Sequence, residues 1–288
     1  MSVSADRPML KVAVPNKGSL SEASTQMLRE AGYRQRGDGK DLVLLDEANH
    51  IEFYYLRPRD IAVYVGSGTL DVGLTGRDML LDSGAAAEEV MALGFGATRF
   101  HFAEPRGDGN TVEGLAGKRI ATSYTGLVKR HLEARGIEAE LVHLDGAVES
   151  SIRLGVADVI ADVVETGRTL RQAGLELFGE PILRSEAVLV QREGHHPEGV
   201  DQLMRRLSGV LVARNFVMMD YDIAGDLVDR AIGLTPGLES PTVSPLAREG
   251  WVAVRAMVER KVAHSVMDDL WELGARGVLV TDIAACRL

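Results

Sequence analysis

The chain has 288 residues, 45% of them hydrophobic and 26% charged, enough to bury the cores of two or three domains. Its formal net charge of -10 excludes a sequence-independent grip on nucleic acid, which needs a basic surface, but leaves room for one local cluster of Arg and Lys. The single cysteine, Cys286, excludes an intramolecular disulfide and a Cys-rich zinc site. There is no apolar run of about 18 residues to predict a membrane span. The opening MSVSADRP has no apolar export core, so a soluble cytoplasmic α/β protein is expected.

Residues 10–14 (LKVAV) predict a strand, and Pro15-Asn16-Lys17-Gly18 leads it into a helix over 19–31 capped by Ser19 or Ser21. A strand, a turn carrying Lys and Gly, and a helix N-terminus form an anion-site geometry, although P-loop spacing is absent. Residues 37–40 read as a turn, and 41–46 with 51–56 as a hairpin around 47–50. Its second strand delivers Arg57-Pro58-Arg59-Asp60, two arginines able to clamp phosphates, with Asp60 as cap of a helix over 61–66. Residues 71–74 predict a buried strand ending in Thr75-Gly76-Arg77-Asp78, with a helix from Met79. One strand over 91–100 is expected to cross into a second lobe. A polar loop over 106–111 comes next. Residues 117–124 then read as a strand and hydroxyl-rich turn ending in Tyr124, which can stack on a base or cover a cleft wall. A helix over 127–135, closed by Gly136, and a strand over 137–144 follow.

The stretch 145–169 (DGAVESSIRLGVADVIADVVETGRT) carries the densest chemistry. Helix-compatible residues 150–154 are closed by Gly155, and 156–164 is a β-branched run interrupted only by Asp158 and Asp162. Glu165-Thr166-Gly167-Arg168-Thr169 then forms a loop before a helix. It can aim backbone N–H groups, two hydroxyls and a guanidinium at one phosphate. Asp162, at the strand end, is placed to accept hydrogen bonds from sugar hydroxyls, so a phosphorylated sugar is the expected ligand. An echo supports a two-lobed arrangement: Gly68-Thr69-Leu70-Asp71-Val72 before Thr75-Gly76-Arg77 resembles Gly155-Val156-Ala157-Asp158-Val159 before Thr166-Gly167-Arg168, the second copy having four extra residues, 162–165. Two such turns can face each other across a cleft at strand ends.

A short helix over 170–173 and strand material over 181–191 return the chain to the first lobe, and a helix over 200–211 serves as connector. Strands over 216–223, 242–246, 251–258 and 277–283, with helices over 224–232 and 262–273, give a βαββαβ order, a ferredoxin-like domain suited to regulation or assembly.

Taken together, these residues resemble the long-form ATP phosphoribosyltransferase family. Glu149, Gly155, Ala157, Ile160, Asp162, Val163, Thr166, Gly167 and Thr169 fall on its signature with the spacing intact. Pro15-Asn16-Lys17-Gly18, Leu56-Arg57, Arg59-Asp60, Asp71-Val72-Gly73, residues 120–124 and the tail segment 236–242 (PGLESPT) agree, so the match spans 9–288. The resemblance implies an α/β fold with a two-lobed periplasmic-binding-protein-like (type II) catalytic domain and a C-terminal ferredoxin-like (ACT-like) regulatory domain. The expected divisions are 9–98 with 185–207 as lobe one, 99–184 as lobe two, and 208–288 as the regulatory domain. It implies transfer of the 5-phosphoribosyl group from 5-phosphoribosyl 1-diphosphate (PRPP) to N1 of ATP, the first step of histidine biosynthesis, with pyrophosphate as leaving group. Glu165, Thr166, Gly167, Arg168 and Thr169 are then expected on the 5-phosphate of PRPP, with Asp162 and Glu149 on ribose hydroxyls or metal. Lys17, Arg57, Arg59, Asp78 and Tyr124 are expected around ATP and pyrophosphate. Mg2+ would be held mainly by substrate oxygens, with Asp162 or Glu149 contributing. Histidine is the implied feedback inhibitor, placed near Asp222, Leu238, Ser240, Thr242 and Gly277, and a homo-oligomer (dimer or hexamer) is the implied assembly. The loop alone also suits a base-salvage phosphoribosyltransferase, and the lobes alone suit a non-catalytic solute- or amino-acid-sensing protein.

Overall fold

A computed structural model describes residues 8–37 and 41–287; the expected turn over 37–40 falls largely outside them. The chain divides into two compact units, one running to Asp201 and one from Gln202 onward, the second also taking in Glu30–Gly32.

The first unit contains two mixed sheets. In sheet one the order is β2 (Val43–Asp46), β3 (Ile51–Leu56), β1 (Leu10–Pro15), β4 (Val72–Gly76), β11 (Ala187–Arg192), β5 (Ala87–Ala92). In sheet two it is β10 (Leu175–Ser185), β6 (Thr98–Pro105), β9 (Val159–Val164), β7 (Arg119–Thr122), β8 (Glu140–His143). β1, β3 and β4 are parallel to one another, as are β7, β8 and β9. An antiparallel strand borrowed from across the crossover sits beside each parallel set: β11 on β4, and β6 on β9. This is the two-lobed periplasmic-binding-protein-like arrangement. It gives the sequence echo a physical basis, because β4 and β9, each leading to a Thr-Gly-Arg turn, hold equivalent places in the two sheets.

Local chemistry sets the element ends. Helix α1 (Ser19–Glu30) buries Leu20, Ser24, Met27 and Leu28, one face at helical spacing. Ser21 does not cap it; its hydroxyl donates to the Pro15 carbonyl at 2.9 Å. Helix α2 (Pro58–Gly66) starts at Pro58, because proline at the first helical position loses no needed N–H; Arg57 is the N-cap and Asp60 lies inside the first turn. Helix α3 (Arg77–Ser83) begins directly at the end of β4, two residues before the expected Met79. The single strand expected over 91–100 is instead β5 and β6, separated where Gly94 and Gly96 adopt positive φ (68° and 66°) and turn the chain between sheets. The helix expected over 150–154 is only a 3-10 turn (Val148–Ser150) followed by irregular turns ending at Gly155 (φ 71°). The remaining helices are α4 (Thr125–Glu133), α5 (Arg168–Gln172) and α6 (Val200–Asn215). Sheet two is covered on both faces. Phe100, Phe102, Ile120 and Val159 pack with Leu127, Val128 and Leu132 on one face, and Ile160 and Val164 with Val148 and Leu170 on the other.

In the second unit, β12 (Phe216–Ala224), α7 (Val228–Leu234), β13 (Thr242–Pro245), β14 (Trp251–Glu259), α8 (Ala263–Leu273) and β15 (Arg276–Asp282) follow the expected βαββαβ order. Their antiparallel sheet runs β13-β14-β12-β15, which is the ferredoxin-like order. On β12, Val217, Met219, Tyr221 and Ile223 face the core with Ala231, Val254, Ala263 and Leu270. The alternate residues Met218, Asp220 and Asp222 occupy the opposite face. The expected boundary at 208 falls within α6, most of which goes with this unit.

Candidate active site

The lobe-two wall starts at Asp162, one residue pair from the end of β9. Its Oδ1 accepts the Val163 N–H at 2.8 Å. Burial pushes the Asp162 carboxyl up to about 6, with Glu149 and Asp78 adding to the rise and the Val163 N–H and Arg59 opposing it. Downstream, Glu165 and Thr166 are exposed, and Gly167 takes φ 67° as N-cap of α5. A left-handed residue at that point lets the chain reverse into a helix without a Cβ penalty. Arg168 and Thr169 are therefore the first two helical residues, exposed, while Leu170 behind them is buried and anchors the turn. Arg168 N–H meets the Thr166 hydroxyl at 3.4 Å, and the exposed side chains of Thr166, Arg168 and Thr169 surround the start of the helix where a phosphate can bind.

The lobe-one wall is built from the C-terminal ends of three parallel strands. Lys17 follows β1, Arg57 follows β3, and Asp78 follows β4. Lys17 and Arg57 are exposed. Arg59, two residues on from Arg57 in the first turn of α2, reaches across to lobe two. Its Nη1 donates to the Ser123 carbonyl at 2.8 Å and to Asp82 Oδ2 at 3.3 Å, and its guanidinium lies 4.2 Å from the Tyr124 ring centre. Tyr124 is buried edge-on against Phe100, with ring centres 5.2 Å apart. Burial, and next the nearby Asp78 carboxylate, hold its hydroxyl well above the usual phenol range. Asp78 is itself buried, accepting the Ser185 hydroxyl at 2.9 Å.

The structure thus brings Arg59, Asp78 and Tyr124 within electrostatic reach of Asp162, with Glu149 also acting on Asp162, and the 165–169 loop follows directly. Lys17 and Arg57 stand at neighbouring strand ends without joining this group. Among the described residues, no group of three His, Cys, Asp or Glu is disposed to hold a metal. The two Thr-Gly-Arg turns are not equivalent in chemistry. The Thr75 hydroxyl donates to Pro58 O at 2.8 Å, and Arg77 is held by Glu89 (2.7 Å) and Glu186 (3.3 Å), so the lobe-one copy is structural. Two residues outside the sequence expectations also enter, Asp82 and Ser185, neither carrying a motif, since each acts on a partner far away in the chain; Ser123, within the matched segment 120–124, enters through its carbonyl.

In the second unit Asp222 and Gly277 adjoin: a Cβ on Gly277, whose φ is 60°, would sit 3.8 Å from Asp222 Oδ2. Thr242 pairs with Arg255 at the start of β13, and Arg255 is held by Asp220 at 2.6 Å. Leu238 and Ser240 lie in the exposed loop before β13, and no hydrogen bond joins them to Asp222.

A two-lobed unit carrying an acid-to-phosphate-loop wall and, in the same chain, a ferredoxin-like unit define an enzyme of the phosphoribosyl-transferring class. The family model described as ATP phosphoribosyltransferase matches residues 57–209, and that for its C-terminal domain matches 213–285. The chain is 63% identical to the ATP phosphoribosyltransferase of Pseudarthrobacter chlorophenolicus and 64% identical to that of Salinispora tropica. Each match covers 97% of this chain and all of the relative. A solved chain from the ATP phosphoribosyl transferase (HisG:HisZ) complex of Thermotoga maritima superposes with a TM-score of 0.61 at 28% identity, covering 70% of this chain and 98% of that one. The chain belongs to the ATP phosphoribosyltransferase family, in the form that carries the C-terminal domain.

Proposed function

We propose that this chain joins ATP to PRPP, giving 1-(5-phospho-ribosyl)-ATP and pyrophosphate, as the first step of histidine biosynthesis. The observation that carries this reading is the juxtaposition of Asp162, the 165–169 loop and Tyr124 of lobe two with Arg59 and Asp78 from the facing strand ends. The loop anchors the 5-phosphate, the end of the sugar that does not react. Asp162, with Glu149, accepts the ribose hydroxyls. Displacement at the anomeric carbon develops oxocarbenium-like charge beside these carboxylates, and adenine N1 is a neutral nucleophile, so positioning and electrostatics carry the rate without a protein nucleophile. Arg59, with Lys17 and Arg57 at the adjacent strand ends, supplies positive charge for the phosphates of ATP and for departing pyrophosphate. Asp162 or Glu149 would add one ligand to a Mg2+ held mainly by substrate oxygens, and the ion would supply charge neutralisation for the leaving pyrophosphate.

Mixing the protein with ATP, PRPP and Mg2+ should produce the absorbance of an N1-substituted adenine; a folded protein that gives no product defeats the proposal, leaving the non-catalytic solute-binding reading. Thr169→Ala removes one hydroxyl donor to a dianion, worth on the order of 1.5–3 kcal/mol. It should therefore raise the PRPP KM about 10- to 100-fold and leave the ATP KM nearly unchanged. Equal effects on both substrates would remove Thr169 from the 5-phosphate.

Regulation belongs to the second unit in this reading. Asp222, beside the open backbone at Gly277, provides an acceptor for the ammonium or imidazole of L-histidine, with Thr242 on β13, one strand beyond β14, and Ser240 and Leu238 in the loop before it as the further candidates. L-histidine should slow the full chain, and a truncation before Phe216 should lose that response. A cytoplasmic homo-oligomer is the setting that the family implies. Among the described residues, no helix is long and apolar enough to cross a membrane.

A further inference from the structure

Ser185 is the last residue of β10, on the segment that returns the chain from sheet two to sheet one, and it is only 5% exposed. Its hydroxyl is fully committed. It accepts the Asp78 N–H at 3.0 Å and donates to Asp78 Oδ1 at 2.9 Å, closing a small ring with a residue 107 positions earlier. The surrounding backbone is stitched just as tightly. Arg77 N–H donates to Glu186 O at 3.0 Å, Gly76 pairs with Ala187, and Arg77 Nη1 reaches Arg184 O at 3.3 Å. Gly76 has an ordinary φ of -84°, so its lack of a side chain answers another need. A Cβ there would lie 2.2 Å from Asp78 Oδ1, so only glycine lets the carboxylate fold back to meet Ser185. The Asp78 carboxylate is therefore held in its orientation from the interlobe crossover, and its charge bears on the Tyr124 hydroxyl of lobe two.

We propose that Ser185 is a positioning residue for the transfer reaction, fixing the Asp78 carboxylate from the crossover between the lobes. The proposal rests on the reading of Asp78 as part of the substrate-facing cluster. Its chemical content is preorganisation: a carboxylate free to rotate would solvate itself or capture a nearby cation, and the cluster would lose the geometry that the transition state meets. Because Ser185 belongs to the crossover, the same contact ties the orientation of Asp78 to the arrangement of the lobes.

The test is a double-mutant cycle on the full chain, with ATP and PRPP each varied. Ser185→Ala should lower kcat about 10-fold and leave both KM values within about 3-fold, as expected for an interaction that matters in the transition state. Ser185→Thr, which keeps the hydroxyl, should restore most of the rate. In an Asp78→Asn background the serine change should cost little more, because its target is already lost. Ser185→Cys, nearly isosteric, serves as the variant of record should Ser185→Ala fail to fold by circular dichroism. Additive losses in the cycle, a wild-type kcat in Ser185→Ala or Ser185→Cys, or a change confined to KM would overturn the positioning role. A wild-type protein inactive on ATP and PRPP would instead overturn the reading beneath it.

Discussion

Asp162→Asn is expected to make the folded chain more stable at pH 7 while costing about two orders of magnitude in kcat/KM for PRPP. The two effects share one cause. Burial lifts the Asp162 carboxyl from an ordinary 3.8 to about 6, so the folded state holds a proton there that the unfolded chain has already released between those values. By linkage, the stability contributed by the protonated acid is fully present below about pH 4. It is lost as pH rises through about 6, leaving an ionised, partly buried carboxylate that costs on the order of 2 kcal/mol at neutral pH. Asparagine removes that charge and the cost with it. In the proposed role on the ribose, function needs the ion, since a carboxylate accepting two sugar hydroxyls is worth roughly twice a neutral acceptor, and an amide offers one oxygen only. Wild-type kcat/KM for PRPP should accordingly fall as pH drops below about 6, and the Asn variant should lose that limb. Thermal unfolding at pH 5 and pH 8, run beside a pH–rate profile, checks both halves. A variant less stable than wild type at pH 8, or one retaining the acidic limb, would show that Asp162 is not the titrating group.

The same residue shows what a sequence can disclose. Asp162 and the loop after it were legible because their chemistry is local: an acid at a strand end, a glycine able to reverse the chain, and hydroxyls on the helix that follows. The βαββαβ order was legible for a similar reason, since Val217, Met219, Tyr221 and Ile223 alternate cleanly with Met218, Asp220 and Asp222. The crossover over 91–100 was not, because an apolar run with two glycines reads equally as one broken strand or as two, and only pairing with β11 on one side and β10 on the other decides it. The Thr-Gly-Arg echo was correct as topology and silent as to chemistry. Nothing in residues 75–77 announces that Glu89 and Glu186 neutralise Arg77, whereas Arg168 stays exposed. Ser185 and Asp82 carry no local signal at all. Their partners lie 107 and 45 residues away, and such separations are written in the fold alone.

Asp82 leads to the second large effect, expected at Gly126. The lobes of the first unit meet where the C-terminal turn of α3 abuts the N-terminus of α4. Asp82 Oδ1 accepts the Leu127 N–H at 3.0 Å, capping a helix of the other lobe, while Oδ2 accepts Arg59 at 3.3 Å. Gly126 sits between these bonds, and a Cβ on it would lie 2.3 Å from the Asp82 carbonyl oxygen. That neighbour is backbone, so no rotamer change relieves the clash. Gly126→Val should therefore force the two lobes apart while leaving each sheet intact. The Arg59 contacts with Ser123 and Tyr124 would go with them, and the cluster would no longer assemble. Activity should fall at least 100-fold with both KM values raised, far-ultraviolet circular dichroism unchanged, and the radius of gyration in small-angle scattering increased. Asp82→Ala is the milder companion. It loses the cap and the ion pair without adding a clash, about 1–2 kcal/mol in all, and should cost about 10-fold in kcat/KM for both substrates. The order of severity is the diagnostic. If the lobe contact belongs to the working enzyme, valine must exceed alanine. A Gly126→Val enzyme of wild-type activity would mean that catalysis proceeds with the lobes held apart at this point, and Arg59 would then have to reach its phosphates by some other approach than across the Tyr124 ring.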